Sequence, residues 1–274
     1  MWNMKQQIEY ALDPVKFARE VLAFAPDRWQ AEVLAWEGQR LILNCCRQSG
    51  KSTVSAILAV HAALFKPGSL ILLVSPSQRQ SSELFKKIAQ LLAMVPDLPR
   101  KTEDNRLSIA FDNDSRVVSL PSQEATVRGF SSPSMVICDE ASRISDDLYF
   151  SLRPMLAVGG GKLILLSTPF GKRGFFFHEW KDGGDSWKQV EITADQVPRI
   201  TQKFLDEELN VIGPWFYEQE YFCKFKEDVS SLFTYEQVMG ALDDDLEPLA
   251  FDFLLPIGNI QRSDEDGSYA RGQT

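Results

Sequence analysis

Long apolar runs are missing from this chain, since none approaches the ~18 residues that cross a bilayer. The opening stretch, MWNMKQQIEYALDP, lacks the apolar core of a secretory signal, so neither export nor a membrane anchor is expected. Cysteine is scarce. The four present, Cys45, Cys46, Cys138 and Cys223, form no CxxC pair, which argues against a disulfide framework or a zinc site and for reduced thiols in a cytosol. The two histidines, His61 and His178, carry no motif and are assigned no role. Basic charge is also short: 29 Lys and Arg stand against 38 Asp and Glu, a net charge of −9. Residues 241–274 hold −6 of it, which leaves −3 for the first 240. That balance argues against a surface coated in basic charge for duplex DNA, and leaves room for a local basic patch. No internal repeat is found.

What is present is an ordinary globular composition, 44% hydrophobic, on 274 residues, enough for one large core and a small appendage. Residues 14–24 and 29–37 read as short helices around Pro26 and Asp27. LILN (41–44) and LILLVS (70–75) read as buried strands. A helical apolar stripe follows Lys51 and stops near Pro67-Gly68; another helix runs from about Arg79 to Val95. RLSIAF and RVVSLP alternate across DNDS and predict a hairpin at 106–121. SMVICDE (134–140), KLILLS (162–167) and WKQVEIT (187–193) add strands. Strands separated by helices predict a largely parallel sheet. Residues 201–241 turn helical, and pattern is lost from about 247.

NCCRQSGKST (44–53) then falls between a strand and a helix, the setting of a phosphate loop. Gly50 lets the backbone approach an oxyanion, the helix amides favour negative charge, Lys51 would reach the β- and γ-phosphates, and the Ser52 hydroxyl would hold Mg²⁺. The usual first glycine is Cys45, which the turn accepts if its φ is negative. Some 90 residues on, an apolar strand ends in Asp139-Glu140. In P-loop enzymes the first acid supports Mg²⁺, often through water, and the second activates the attacking water. LLSTPFGKRG places Ser167, Thr168 and Pro169 at another strand end, where they can sense a γ-phosphate; in an open parallel sheet such ends share the ligand-binding edge. Gln30, in PDRWQ, has the donor and acceptor to pair with an adenine edge, while Trp29 reads as core. Arg47 lies inside the loop; Arg106 and Arg128 are further arginines that could reach a γ-phosphate in their own or a neighbouring subunit.

CCRQSGKST, MVICDEAS and LLSTPFG, in this order and spacing, resemble the ATPase domain of large terminase subunits, the motors that package DNA into tailed-phage capsids. PDRWQAEVL, SPSQRQSSELF, DNDSRVVSLPS…VRGF and GPWFYEQEYFCKF resemble further segments of that family, so the similarity spans about residues 20–240. The non-glycine at position 45 is a feature of the family. The resemblance implies an α/β, RecA-like P-loop (ASCE) NTPase, a three-layer sandwich with a mostly parallel sheet and a small helical C-terminal subdomain. Its expected divisions are an ATPase domain at 1–195, a helical linker or lid at 196–246, and an acidic, disordered tail at 247–274. It implies ATP and Mg²⁺ as cofactors. Gln30, Arg47, Gln48, Ser49, Gly50, Lys51, Ser52 and Thr53 would bind ATP, with Ser52 and Asp139 at the metal through water. Glu140 and Asp139 would be the catalytic acids, assisted by Arg47 with Arg106 or Arg128, and Ser167-Thr168-Pro169 would couple hydrolysis to movement. The implied partners are double-stranded DNA, a portal protein, a small terminase subunit and copies of the chain in a ring, usually of five, in the cytoplasm of a bacterial host.

The family continues into a nuclease whose two-metal chemistry needs several carboxylates placed by a folded sheet. After Asp252, the one candidate first acid, 22 residues follow without strand pattern, so no nuclease activity is expected of this chain. A truncated product, a split gene or an excised domain would each give such a chain. Two other readings use the same motifs. A helicase-like DNA translocase outside packaging needs a second motor domain. A non-packaging remnant that binds ATP and partners sits poorly with intact Lys51, Asp139 and Glu140.

Overall fold

In a computed structural model, residues 2–120, 129–227 and 235–241 are described. Packing separates Met1–Ser231 from Leu232–Thr274. The first unit holds nearly all the described structure, and the second contributes the short helix Tyr235–Gly240. Arg128 and the acidic stretch 247–274 lie outside the described residues.

Four strands are buried along almost their whole length: β1 (Arg40–Cys45), β2 (Leu70–Val74), β6 (Met135–Asp139) and β7 (Lys162–Ser167). Their near-continuous Leu, Ile and Val runs are what a sheet covered on both faces requires. β3 (Lys101–Asp104), β4 (Ser108–Phe111), β5 (Arg116–Leu120) and β8 (Lys188–Ile192) complete one eight-stranded sheet, ordered β3-β4-β5-β2-β6-β7-β1-β8. The run from β5 to β8 is parallel, and β3 and β4 are antiparallel additions at one edge. The hairpin expected at 106–121 is β4–β5. β3 carries the polar sequence KTED, which is why no strand was legible there.

Alternation along each central strand feeds two cores. Leu41, Leu43, Ile71, Leu73, Met135, Ile137, Ile164 and Leu166 belong to one. Ile42, Leu72, Val74, Val136, Leu163 and Leu165 belong to the other. The first core is closed by helices α1 (Met4–Leu12), α2 (Pro14–Glu20), α3 (Arg28–Leu34), α4 (Lys51–Phe65) and α5 (Gln78–Ala93). The second is closed by α6 (Asp146–Leu156) and α7 (Gly174–Asp182). This is the expected three-layer α/β sandwich. α1, α6 and α7 had no clear reading in the sequence. α6 has capping signals, Ser145 with Asp146 and Asp147 in the first turn, but its apolar stripe is broken by Pro154.

α8 (Gln202–Phe222) is two helical pieces merged across Gly213, whose φ of 74° and ψ of 163° are open essentially to glycine alone; Pro214 follows. Its C-terminus is capped by Cys223 in the left-handed region. All four cysteines are buried and free. Burial pushes the Cys45 and Cys138 thiols up to about 12 and Cys46 to about 11.

Candidate active site

Register brings three strand ends together. On β7, Leu166 sits beside Asp139 of β6, and the next residue, Ser167, sits beside Asn44 of β1. The loops that leave these strands therefore open at one sheet edge, where parallel sheets bind ligands.

The loop after β1 has the backbone form of a phosphate loop. Cys45 is the last residue of β1, is fully buried, and is absent from the residues with positive φ, so no glycine is needed there. Two residues of the loop do take left-handed conformations, Gln48 at φ 61° and Gly50 at φ 94°. A Cβ at Gly50 would stand 2.7 Å from the Gln30 amide nitrogen, the end of a side chain that can move aside, so it is the φ of 94° that selects glycine. Gly50 is the N-cap of α4, whose fifteen residues present free amides and a positive dipole end to the loop.

Lys51 is 7% exposed, and its Nζ lies 3.7 Å from Glu140 Oε1. The Ser52 hydroxyl is 3.5 Å from both carboxylate oxygens of Asp139, long for a direct bond. Asp139 is 7% exposed, and its pKa is pushed up to about 6, first by burial and then by the neighbouring Glu140, with Lys51 opposing. A buried carboxylate whose ionised form is made costlier by burial, beside a hydroxyl, has the donor set of a hard-cation site, and Mg²⁺ fits it. Thr53 faces another way: its hydroxyl accepts from Lys87 of α5 at 3.1 Å. The adjacent Lys86 pairs with Glu83 on the surface.

Glu140 has φ 53°, so the chain turns sharply as it leaves β6 and the two acids diverge. Ser167 Oγ reaches Glu140 Oε2 at 3.5 Å. A residue the sequence reading missed, Ser142, ties the two loops: its Oγ is 2.7 Å from Ser167 Oγ and donates to the Thr168 carbonyl at 2.9 Å, and its amide donates to Ser167 Oγ. Ser167 and Thr168 are buried, and Pro169 follows them out of the strand. The signal for Ser142 was present in MVICDEAS, two residues past the acid.

Arg47 sits in the loop, but its Nε donates to Glu220 Oε2 of α8 at 2.5 Å and its amide donates to the Glu220 carbonyl. Asn44 Nδ2 donates to the Cys223 carbonyl at 3.0 Å, so the end of α8 is fastened to the head of the loop. Gln30 is buried and both amide atoms are engaged: Oε1 accepts from Asp27 N at 2.9 Å and Nε2 donates to the Ser49 carbonyl at 3.2 Å. Arg199, not singled out in the sequence, also donates to the Ser49 carbonyl. Trp29 is core, as expected. Arg106 lies in the turn between β3 and β4, on an open groove of about 620 Å³ shared with Gln78, Arg79 and Lys86. Among the described residues Arg106 makes no hydrogen bond or ion pair with the loop residues.

The large terminase subunits of Thermus phage G20c and Thermus virus P23-45 are each 26% identical to this chain over 186 residues, covering 60% of it and 38% of their own length. The chain thus matches little more than a third of these relatives. Among solved structures, the large terminase ATPase domain of Thermus phage P74-26 aligns with a TM-score of 0.70 at 20% identity, over 78% of this chain and all of that one. The large terminase of a thermophilic bacteriophage in complex with ADP aligns with a TM-score of 0.58 at 13% identity, over 79% and 53%. At those identities the shared property is the fold. The family described as terminase large subunit, T4likevirus-type, N-terminal, matches residues 42–238, most of the chain, and to that family this chain belongs.

Proposed function

We propose that the chain is the ATP-hydrolysing motor part of a DNA-packaging terminase, driving double-stranded DNA into a procapsid. The observation that carries the reading is the convergence of Lys51, Ser52, Asp139 and Glu140 at the head of a helix begun by Gly50. Each has a part in phosphoryl transfer to water. The Gly50 turn and the first amides of α4 cradle the phosphates, and Lys51 neutralises the β- and γ-oxygens. Ser52, with Asp139 through water, would hold Mg²⁺, which supplies charge for the phosphate oxygens when bound. Glu140 orients the attacking water and takes its proton. Its 3.7 Å approach to Lys51 supports this assignment, because a nucleotide would separate the pair and leave Glu140 facing the γ-phosphate. Arg47 adds positive charge at the γ-phosphate, and Arg106 or Arg128 is proposed to reach a neighbouring subunit.

Ser167, Thr168 and Pro169 are proposed to pass hydrolysis on to DNA, relayed by the linker expected at 196–246 beyond the chemical domain at 1–195; residues 228–234 and 242–246 of that linker lie outside the described residues. The remaining partners in this reading are a portal protein, a small terminase subunit and four further copies in a ring, in the cytoplasm of a bacterial host. Among the described residues no helix is long and apolar enough to cross a membrane.

Glu140→Gln should keep ATP binding and lose turnover by ~10²–10⁴, because an amide cannot accept the proton of water. Lys51→Ala should lose binding itself. Purified variants assayed for Mg·ATP binding and phosphate release separate the two. Turnover at the parent rate in Glu140→Gln removes Glu140 from this role.

A further inference from the structure

Ser49 is the residue before the glycine of the phosphate loop, and its carbonyl is held by two side chains. Gln30 Nε2 donates to it at 3.2 Å and Arg199 Nη2 at 3.3 Å. Both donors are themselves anchored on Asp27. The Asp27 amide donates to Gln30 Oε1 at 2.9 Å, and the Asp27 carboxylate accepts both terminal nitrogens of Arg199, at 3.0 and 2.8 Å. Asp27, Gln30 and Arg199 therefore close a ring on one carbonyl, from two segments about 170 residues apart, the start of α3 and the stretch between β8 and α8. The Ser49 hydroxyl adds a further tie, donating to the Cys46 carbonyl at 3.0 Å.

The consequence follows from the peptide plane. In a trans peptide the C=O of one residue and the N–H of the next point in opposite directions, and no cis peptide is found among the described residues. Pulling the Ser49 carbonyl toward Gln30 and Arg199 turns the Gly50 N–H the other way, away from those side chains. Gly50 has no side chain and a φ of 94°, so nothing of its own fixes that plane. The fixing comes from outside the loop.

We propose that Arg199, braced by Asp27, is a positioning residue for anion binding: with Gln30 it sets the orientation of the Ser49–Gly50 peptide, so that the Gly50 amide faces a bound phosphate chain. The proposal rests on the nucleotide reading for the identity of the anion, and it assigns Gln30 to the loop in place of the base edge. A bidentate, charge-assisted Arg–carboxylate pair is suited to this work, since its fork geometry holds the guanidinium plane fixed. Arg199 is about half exposed, so it can be replaced without opening the core.

Two measurements test this. The first uses the ligand-free chain and does not depend on what it binds. Amide hydrogen exchange at residues 49–53 should quicken about tenfold in Arg199→Ala and in Asp27→Ala, by the loss of one charge-assisted bond, with the double variant no worse than either single one. Exchange in β6 and β7 should not change, and Arg199→Lys, which keeps a donor, should restore part of the protection. The second compares Mg·ATP, Mg·GTP and inorganic tripolyphosphate. Arg199→Ala should weaken all three by the same factor of about ten, because what is lost is phosphate positioning. Unchanged exchange at 49–53 overturns the proposal. So does a loss confined to ATP, which would make Arg199 a contact of the base. Should the parent bind none of the three anions, the nucleotide reading fails, while the exchange experiment still decides whether Arg199 orients the loop.

Discussion

Asp139 shows how a single buried acid sets a pH dependence. Its folded pKa, about 6, lies above its ordinary value of 3.8, chiefly through burial. A raised carboxyl contributes stability that is complete below about pH 4 and lost as pH climbs through about 6. At pH 7.5 the metal-free protein bears the whole cost of ionising it, about 3 kcal/mol at 1.36 kcal/mol per unit. Asp139→Asn should therefore raise the melting temperature of the metal-free protein at pH 7.5, and the gap between variant and parent should close toward pH 4. With Mg·ATP present the order should reverse, because the parent gains ligand stabilisation that the variant cannot. Thermal unfolding at the two pH values, with and without Mg·ATP, reads all three outcomes. A variant no more stable than the parent at pH 7.5 without metal would show that the acid is not strained by burial.

At the scale of elements, the loops after β1, β6 and β7 act as one unit because Ser142 spans two of them. Ser142→Ala removes the donor to the Thr168 carbonyl and the partner of Ser167 Oγ, while leaving the phosphate loop untouched. We expect ATP affinity to hold and turnover to fall roughly tenfold, since Glu140 loses a fixed neighbour. Comparing kcat with the ATP dissociation constant checks this; a parent-like kcat would make Ser142 a passive link. The elements also explain what the sequence made legible. Leu-Ile-Val runs bounded by loops gave β1, β2, β6 and β7, because buried parallel strands have no other composition. The GKS triplet and the Asp-Glu pair were readable because each lies in consecutive residues. Glu220, Lys87 and Arg199 were not, because their roles come from tertiary contacts: Glu220 meets Arg47 across 173 positions and Arg199 meets Asp27 across 172. Secondary structure failed where local signals conflicted. The second helix was expected to 24 and stops at Glu20, with Ala23 at φ 48°. The long C-terminal helix is broken at Gly213.

For the whole molecule, part of the scarce basic charge is already occupied by carboxylates in the folded state. Lys101 meets Asp104, Arg153 meets Glu179, and Lys172 meets Glu227 at 2.7 Å. One such chain offers DNA few phosphate contacts, and affinity in the proposed ring would come from several copies together. The same ring supplies the missing catalytic charge in the proposal, as a trans arginine is worth roughly 10³–10⁵ in rate elsewhere. Mixing Glu140→Gln subunits with Arg106→Ala subunits, and separately with Arg128→Ala subunits, should recover hydrolysis in whichever mixture pairs an intact acid with an intact arginine. A mixture that forms rings and stays silent excludes its arginine. The buried cysteines bear on how such a ring could be watched. With every thiol shielded and its proton held tightly, the folded chain should be blank to maleimides and to Ellman's reagent, releasing four equivalents only on unfolding. One cysteine introduced on the surface would then be the sole reactive handle in the native protein, giving each subunit a single dye position without any of its own sulfurs being removed.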